Sequence, residues 1–371
     1  MTKFYQKLLI VSIIAITPFA NATTKNDIHL TVDASLYSPT QSIISFTDDW
    51  EKPLDSGNTA FAHGRVVVNI QPKQQSWHYG ANWRYDYLLK FDGKTAKLYH
   101  QYKNKQKLPN GENHPVKIHA NHNQRIGVHF GKQWQVQPNW QISTNANLWQ
   151  GQKVVNGRVE GDVQTIANPL VVNKLTDQIH KTNLAIDYFY DKPALKEAGL
   201  DWYPNKPDGY GYSFDIGIEG ELGKNTKMAV NVYDIFGKMY WKKAPTTMYD
   251  FRYDIDRPNG QNEYDLLGKL DNQDKIQDLT WYATSQIEHQ INQSWKIGLH
   301  SEFNKYHDLH KIAMSYQPNL PLQITGLVEP KTRAVGLAVR SKNFGVQWLT
   351  DNLNTNKAKR ANLALSAHDA W

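Results

Sequence analysis

Between Trp77 and Phe91 apolar and aromatic side chains hold every odd position: Trp77, Tyr79, Ala81, Trp83, Tyr85, Tyr87, Leu89 and Phe91. The even positions read His78, Gly80, Asn82, Arg84, Asp86, Leu88 and Lys90. A period of two sorts side chains onto the faces of a strand. At about 3.3 Å per residue the segment reaches roughly 50 Å, well beyond the ~9–11 tilted residues that cross a bilayer. One face suits lipid and the other, with both signs of charge, suits water, which is the pattern of a transmembrane barrel strand with a wet interior.

The alternation recurs along the chain. From Lys117 to Gln135 the odd positions are polar or glycine, against Val116, Ile118, Ala120, Ile126, Val128, Phe130, Trp134 and Val136. His122, Gln124 and Lys132 interrupt the apolar face, so a turn is expected near Asn121–Gln124. Tyr210, Tyr212, Phe214, Ile216, Ile218 and Leu222 alternate with Ser213, Asp215, Gly217, Glu219 and Glu221, and Trp295–Asn304 repeats the pattern. A first strand is expected at Ile28–Tyr37. Ala361, Leu363, Leu365 and Ala367 lie in phase with the terminal Trp371, with Asp369 out of character among them.

Short polar turns separate paired segments at Gln71–Ser76, Gln137–Asn139, Gly223–Thr226, Gln290–Ser294 and Arg340–Asn343. Longer stretches rich in Gly, Pro, Asn and Asp fall at 103–115, 150–181, 191–209, 242–276 and 307–332. Short turns on one rim and long loops on the other is the asymmetry of outer-membrane barrels. The short turns are therefore assigned to the periplasm. Phe91–Lys94 looks like a short turn on the outer rim. The segments add up to a single antiparallel transmembrane β-barrel, an all-β fold of about 14 strands (range about 12–16), an even total being expected for a single-chain bacterial barrel.

Lys3, Lys7, the apolar run Leu8–Ile16 and Ala20-Asn21-Ala22 have the layout of a cleaved secretory signal. Residues 1–22 are expected to be removed and 23–371 to form the barrel. The chain of 371 residues has no cysteine, which argues against a disulfide-stapled exported fold. Its 12 Trp and 20 Tyr suit interfacial girdles. A net charge of +7 loses Lys3 and Lys7 with the signal and is spread along the chain. No basic cluster interleaved with aromatics supports nucleic-acid binding.

The run Val335-Gly336-Leu337-Ala338-Val339-Arg340, a short turn and Phe344-Gly345-Val346-Gln347-Trp348-Leu349-Thr350-Asp351-Asn352-Leu353 resembles the late strands of bacterial outer-membrane barrels of porin and transporter type. Asp-Ile-Phe-Gly at 234–237 is similar to a strand end in that group, and the terminal Trp371 resembles the assembly signal of such barrels. The resemblance implies the fold and the Gram-negative outer membrane, with outer-membrane lipid, lipopolysaccharide and the barrel-assembly machinery as partners. The N-terminal arrangement of long-chain fatty-acid transporters and the His-x-Ser-Asn-Gly run of the outer-membrane phospholipase are not found.

Sorting by face places His63, Arg65, His78, Arg84, Lys90, Lys117, His119, Arg125 and His129 in the lumen, with Asp215, Glu219 and Glu221 on a strand in the middle of the chain. A basic wall facing an acidic one would set up a transverse field in a water-filled pore. The alternative is that these charges pair with one another and fill the interior. His300, His307, His310 and Asp308, or His119, His122 and His129, are weak metal candidates. Asp254 and Asp256 form a carboxylate pair that His307-Asp308 could join in a hydrolase at the rim. No catalytic residue, metal ligand or cofactor is assigned. The expected function is a porin-like channel for small polar solutes. A non-conducting barrel serving surface assembly, secretion or adhesion, and a rim-sited enzyme, are the other readings.

Overall fold

The structure, a computed structural model, describes residues 26–48, 50–167, 178–195, 197–258, 263–318 and 321–370. The expected signal peptide and Trp371 lie outside the described residues. The strands are β1 (Asn26–Tyr37), β2 (Thr59–Pro72), β3 (Trp77–Phe91), β4 (Asn113–Gln137), β5 (Trp140–Thr165), β6 (Ile179–Tyr190), β7 (Asp208–Leu222) and β8 (Thr226–Asp254). They continue as β9 (Tyr264–Asp278), β10 (Tyr282–Gln290), β11 (Trp295–Asn304), β12 (Asp308–Tyr316), β13 (Leu322–Glu329), β14 (Ala334–Ser341), β15 (Phe344–Thr350) and β16 (Arg360–Ala370). Two helices, α1 (Ile43–Thr47) and α2 (Gly93–Lys103), join them.

The wall closes where β1 pairs with β16, Val32 opposite Leu365 and Ala34 opposite Leu363. β5 pairs with β6 through its upper half and with β7 through its lower half, so β6 and β7 share one position in the wall. β9 and β10 share another beside β8. Sixteen strands thus make a closed antiparallel barrel of fourteen wall positions. Closure leaves no edge for the hydrocarbon to strand unpaired.

The band of apolar side chains is on the outside. Phe130, Val128, Leu148, Ile312, Met314, Val335, Leu337 and Trp348 all point away from the barrel and are exposed. Trp77, Tyr79 and Trp134 gather toward the rim of short turns. No described helix is long and apolar enough to cross a membrane. A closed antiparallel barrel with an apolar outer band has the form of a transmembrane β-barrel.

The five expected periplasmic turns all join consecutive strands. A sixth joins β12 to β13 inside 307–332, a stretch expected to be one external loop. The turn expected at Asn121–Gln124 is absent, because β4 runs unbroken and β5 bulges instead, with Gln124 opposite Lys153 and Arg125 opposite Gly151. Above Ile126 the strand leaves the apolar band, so an interrupted outer face there signals a water boundary. Phe91–Lys94 starts a helix: the Asp92 side chain accepts from the Lys94 amide at 2.8 Å and caps α2.

The stretches 150–181 and 242–276 continue largely as strands. Upper β4 and β5, with β6, upper β8 and β9, form a sheet that rises from one side of the barrel. The segment after β6 lies against its outer face, where the buried Glu197 carboxylate accepts from the Tyr188 hydroxyl, from Thr247 Oγ1 at 3.0 Å and from the Leu195 amide at 2.7 Å. Burial, and then that carboxylate, hold the Tyr188 phenol well above its ordinary range.

Candidate functional site

The even face of β3 points inward. It carries Arg84 and Asp86, which are buried despite their charge. Arg84 donates to Asp215 of β7 through Nη1 at 3.0 Å and Nη2 at 2.6 Å. Its Nη1 also lies 2.8 Å from Asp234 Oδ1 of β8. Asp234 in turn accepts from Arg125 Nη2 of β4 at 2.7 Å, and Arg125 Nη1 reaches Asp86 at 2.6 Å. His63 Nδ1 of β2 completes the series, 2.6 Å from the other Asp86 oxygen.

A second cluster occupies the opposite wall. Arg360 of β16 donates to Glu329 of β13 from Nε at 2.8 Å and from Nη2 at 3.0 Å, and Nη2 also pairs with Glu302 of β11. Glu302 further accepts from Ser35 Oγ at 2.8 Å and from the Tyr282 hydroxyl at 2.9 Å. The two clusters meet where the His63 ring stacks on Tyr282, with centroids 4.2 Å apart. Two sets of charge-assisted contacts, joined by this ring stack, therefore cross the lumen from β7 to β13. Arg84, Arg125 and Arg360 are 1%, 0% and 0% exposed, so the girder is closed around them.

Apolar side chains thicken this girder. Trp149 stands between Arg84 and Arg125, 4.9 and 5.1 Å from their guanidinium carbons. Above it Met239, Trp241, Val154, Phe189 and Leu279 form a buried cluster. Trp241 Nε1 donates to Gln277 at 3.1 Å. On the periplasmic side the lumen turns polar: His78 pairs with Asn145 at 2.7 Å, Asn82 donates to Asn147 at 2.7 Å, and His129 pairs with Asn69 at 2.9 Å. Thr31 and His29 of β1 are exposed there.

The expected lumen-lining residues thus separate into three levels. His63, Arg84, Arg125 and Asp215 belong to the girder. Arg65 lies beside it, with its guanidinium 3.7 Å over the Tyr233 ring. His78 and His129 lie below. Lys90, Lys117 and His119 border an outer recess. Glu219 is exposed near the periplasmic end of β7, and Glu221 pairs there with Lys227 at 3.4 Å. No basic wall faces an acidic wall across open water: β3 and β7 have only β4 and β5 between them, and Arg84 touches Asp215 directly. Pairing between the charges is what the interior displays.

Glu329, Arg360, Trp149 and Trp241 did not stand out in the sequence, and Asp234 and Glu302 appeared there only as parts of a strand-end run and of an alternating strand, not as lumen residues. Asp234 and the preceding Tyr233 both face inward because β8 bulges there, with φ of 60° at Asp234 and 52° at Phe236. A strict period of two assigns Asp234 to lipid. Trp149 had a legible signal in a neighbour: Gly127 lies opposite it on β4, where an added Cβ would come within 2.6 Å of the indole.

The groups considered for metal or hydrolytic chemistry fall elsewhere. Asp256 pairs with His180 at 2.6 Å, whereas Asp308 pairs with Lys331, so Asp254, Asp256, His307 and Asp308 do not assemble into one site. His180, Asp254 and Asp256 offer atoms within 4.8 Å of one another, the one such group among the described residues. The Asp256 amide and then Lys181 hold the Asp254 carboxyl below the usual range. His122 lies on the outer face against Tyr85 and Tyr87, apart from His119 and His129.

A family model described as "Family of unknown function (DUF5723)" matches residues 25–352. No curated protein matches the sequence. Among solved structures, the toluene transporter TodX of P. putida is 11% identical with a TM-score of 0.40, covering 95% of this chain and 91% of its own. A FadL homologue of Pseudomonas aeruginosa is 8% identical with a TM-score of 0.34, covering 94% and 90%. The translocator domain of the autotransporter NalP from Neisseria meningitidis is 8% identical with a TM-score of 0.29, covering 100% and 96%. Similarity at this level transfers no substrate.

Proposed function

The chain belongs to this family of unknown function, and from its geometry we propose that it is a gated outer-membrane channel for small polar solutes, with the ion-paired girder as the gate. The carrying observation is the series Asp215–Arg84–Asp234–Arg125–Asp86–His63–Tyr282–Glu302–Arg360–Glu329 across a lumen that is polar on the periplasmic side. Well-packed apolar residues fill an interior at least as stably as buried ion pairs do. A barrier of paired charges differs from apolar filler in one respect: its contacts can be exchanged for water or for a charged solute.

Planar-bilayer conductance of the full chain tests this. The wild-type protein is expected to conduct little, and Arg84→Ser combined with Arg125→Ser and Arg360→Ser is expected to produce stable open steps. Asp234→Asn, which keeps the shape, is expected to give brief openings. Both variants are checked for folding by heat-modifiable mobility. Folded variants as silent as the wild type overturn the reading.

The sheet rising from one side of the barrel supports a second reading, a closed barrel that presents this sheet as a binding surface. Silent but folded girder variants would favour it.

A further inference from the structure

At the outer end of β3 a recess of about 670 Å³ is bordered by Lys90, Lys117, His119, Glu160, Asn58 and Gly93. Its basic groups are ordered by the sheet. Lys90 of β3 lies directly opposite His119 of β4, and His119 directly opposite Arg158 of β5. Lys117, on the next rung of the same face, lies opposite Glu160. Lys305, on the connection between β11 and β12, adds its charge close to His119.

Like charges set opposite one another on neighbouring strands are unfavourable. The carboxylates nearby offset them only in part. Glu160 is 3.9 Å from Arg158, with both side chains more than half exposed. Asp92 is engaged in capping α2, and Asp187 lies opposite Arg158 on the side away from the recess. Among the described residues Lys90 and Lys117 form no ion pair, and Lys305 has the Tyr306 ring 5.4 Å away as its neighbour. Lys90 and Lys117 at the recess, with Arg158 and Lys305 beside them, thus meet only two carboxylates there among the described residues, Glu160 and the capping Asp92. After burial, Lys305 and Arg158 are the main influences that keep His119 below its ordinary range.

We infer that this recess binds a multivalent anion of the phosphate type, with Lys90, Lys117, Arg158 and Lys305 as its contacts. Arginine can grip two phosphate oxygens at once, and lysines can supply mobile point charges from the sides. Two sources carry that chemistry, a free phosphorylated solute and the phosphorylated headgroup of an outer-leaflet glycolipid. The recess lies above the girder, so binding is measured independently of whether the lumen opens.

Calorimetric titration of the detergent-solubilised full chain with inorganic pyrophosphate at low salt is the test. Saturable binding is expected, weakened at least tenfold by Lys90→Gln with Lys117→Gln, strengthened by Glu160→Gln and unchanged by Lys342→Gln at a periplasmic turn. Nanodiscs of zwitterionic lipid with and without a phosphorylated glycolipid separate the sources. Displacement of pyrophosphate by the glycolipid assigns the site to a headgroup, and binding that persists beside it assigns the site to a free solute. Absence of saturable binding in both detergent and nanodiscs, or equal binding by the folded double-lysine variant, overturns the inference.

Discussion

Arg84 grips Asp215 through two hydrogen bonds of 3.0 and 2.6 Å between strands that are not adjacent. Asp215 also accepts the Asp234 amide at 3.0 Å, so the bulge in β8 and the ion pair support each other. Removing one partner of a buried pair leaves its counter-charge unmatched, at a cost of about 3–5 kcal/mol. Asp215→Ala is expected to lose stability on that scale in urea unfolding from detergent. Asp215→Leu combined with Arg84→Met is expected to recover most of it. Equal losses in the single and double variants would show that the pair is not a unit.

His307 stacks face to face on Phe61, with centroids 3.6 Å apart and planes within 6°, and among the described residues neither ring nitrogen has a hydrogen-bond partner. Burial pushes its pKa down to about 3, although Glu302 pulls the other way. The unfolded chain takes up this proton near pH 6.5. Stability is therefore intact above pH 6.5 and declines as pH falls from there toward 3. His307→Phe keeps the stack and removes the proton site. Its unfolding midpoint is expected to fall less than that of the wild type between pH 7 and pH 4, and parallel curves would assign the acid sensitivity to other groups.

The barrel was legible because lipid enforces a period of two wherever a strand touches it, as at Trp77–Phe91. Legibility ended where that constraint ended. Beyond Ile126 on β4 and Gln150 on β5 no lipid sorts the side chains, so strands that continue into water looked like loops. Residues in the lumen answer to one another rather than to lipid. Asp86 was visible on the polar face of β3, but its partners Arg125 and His63 come from other strands, and the bulge at Asp234 breaks the parity that a linear reading relies on. The tryptophan count suggested interfacial girdles, whereas Trp149 and Trp241 point into the barrel.

Trp241 is fully buried, and its indole covers Gly151 and Gly209, where an added Cβ would come within 2.3 and 2.4 Å of the ring. These glycines form a flat seat. Gly209→Val forces the indole off it and is expected to cost about 1–3 kcal/mol through overpacking. Displacement also breaks the bond to Gln277, so Trp fluorescence should shift to the red. An unchanged spectrum and midpoint would show that the seat tolerates a side chain.

Leu337 and Ala338 are consecutive on β14 and face opposite media. Leu337 is 63% exposed on the outer face, while Ala338 packs beside the luminal cluster of Ala313, Leu327, Ala334 and Leu349. An arginine on the lipid face costs about 2–4 kcal/mol near the bilayer midplane and much less near the interfaces. Leu337→Arg is therefore expected to lower stability in lipid vesicles by that amount. Val339, two residues along on the same outer face, lies closer to the turn that follows β14, so Val339→Arg should cost less than Leu337→Arg. Unfolding of the two variants in vesicles measures the gradient directly. Equal costs would mean that the apolar band is not centred where its exposed side chains place it.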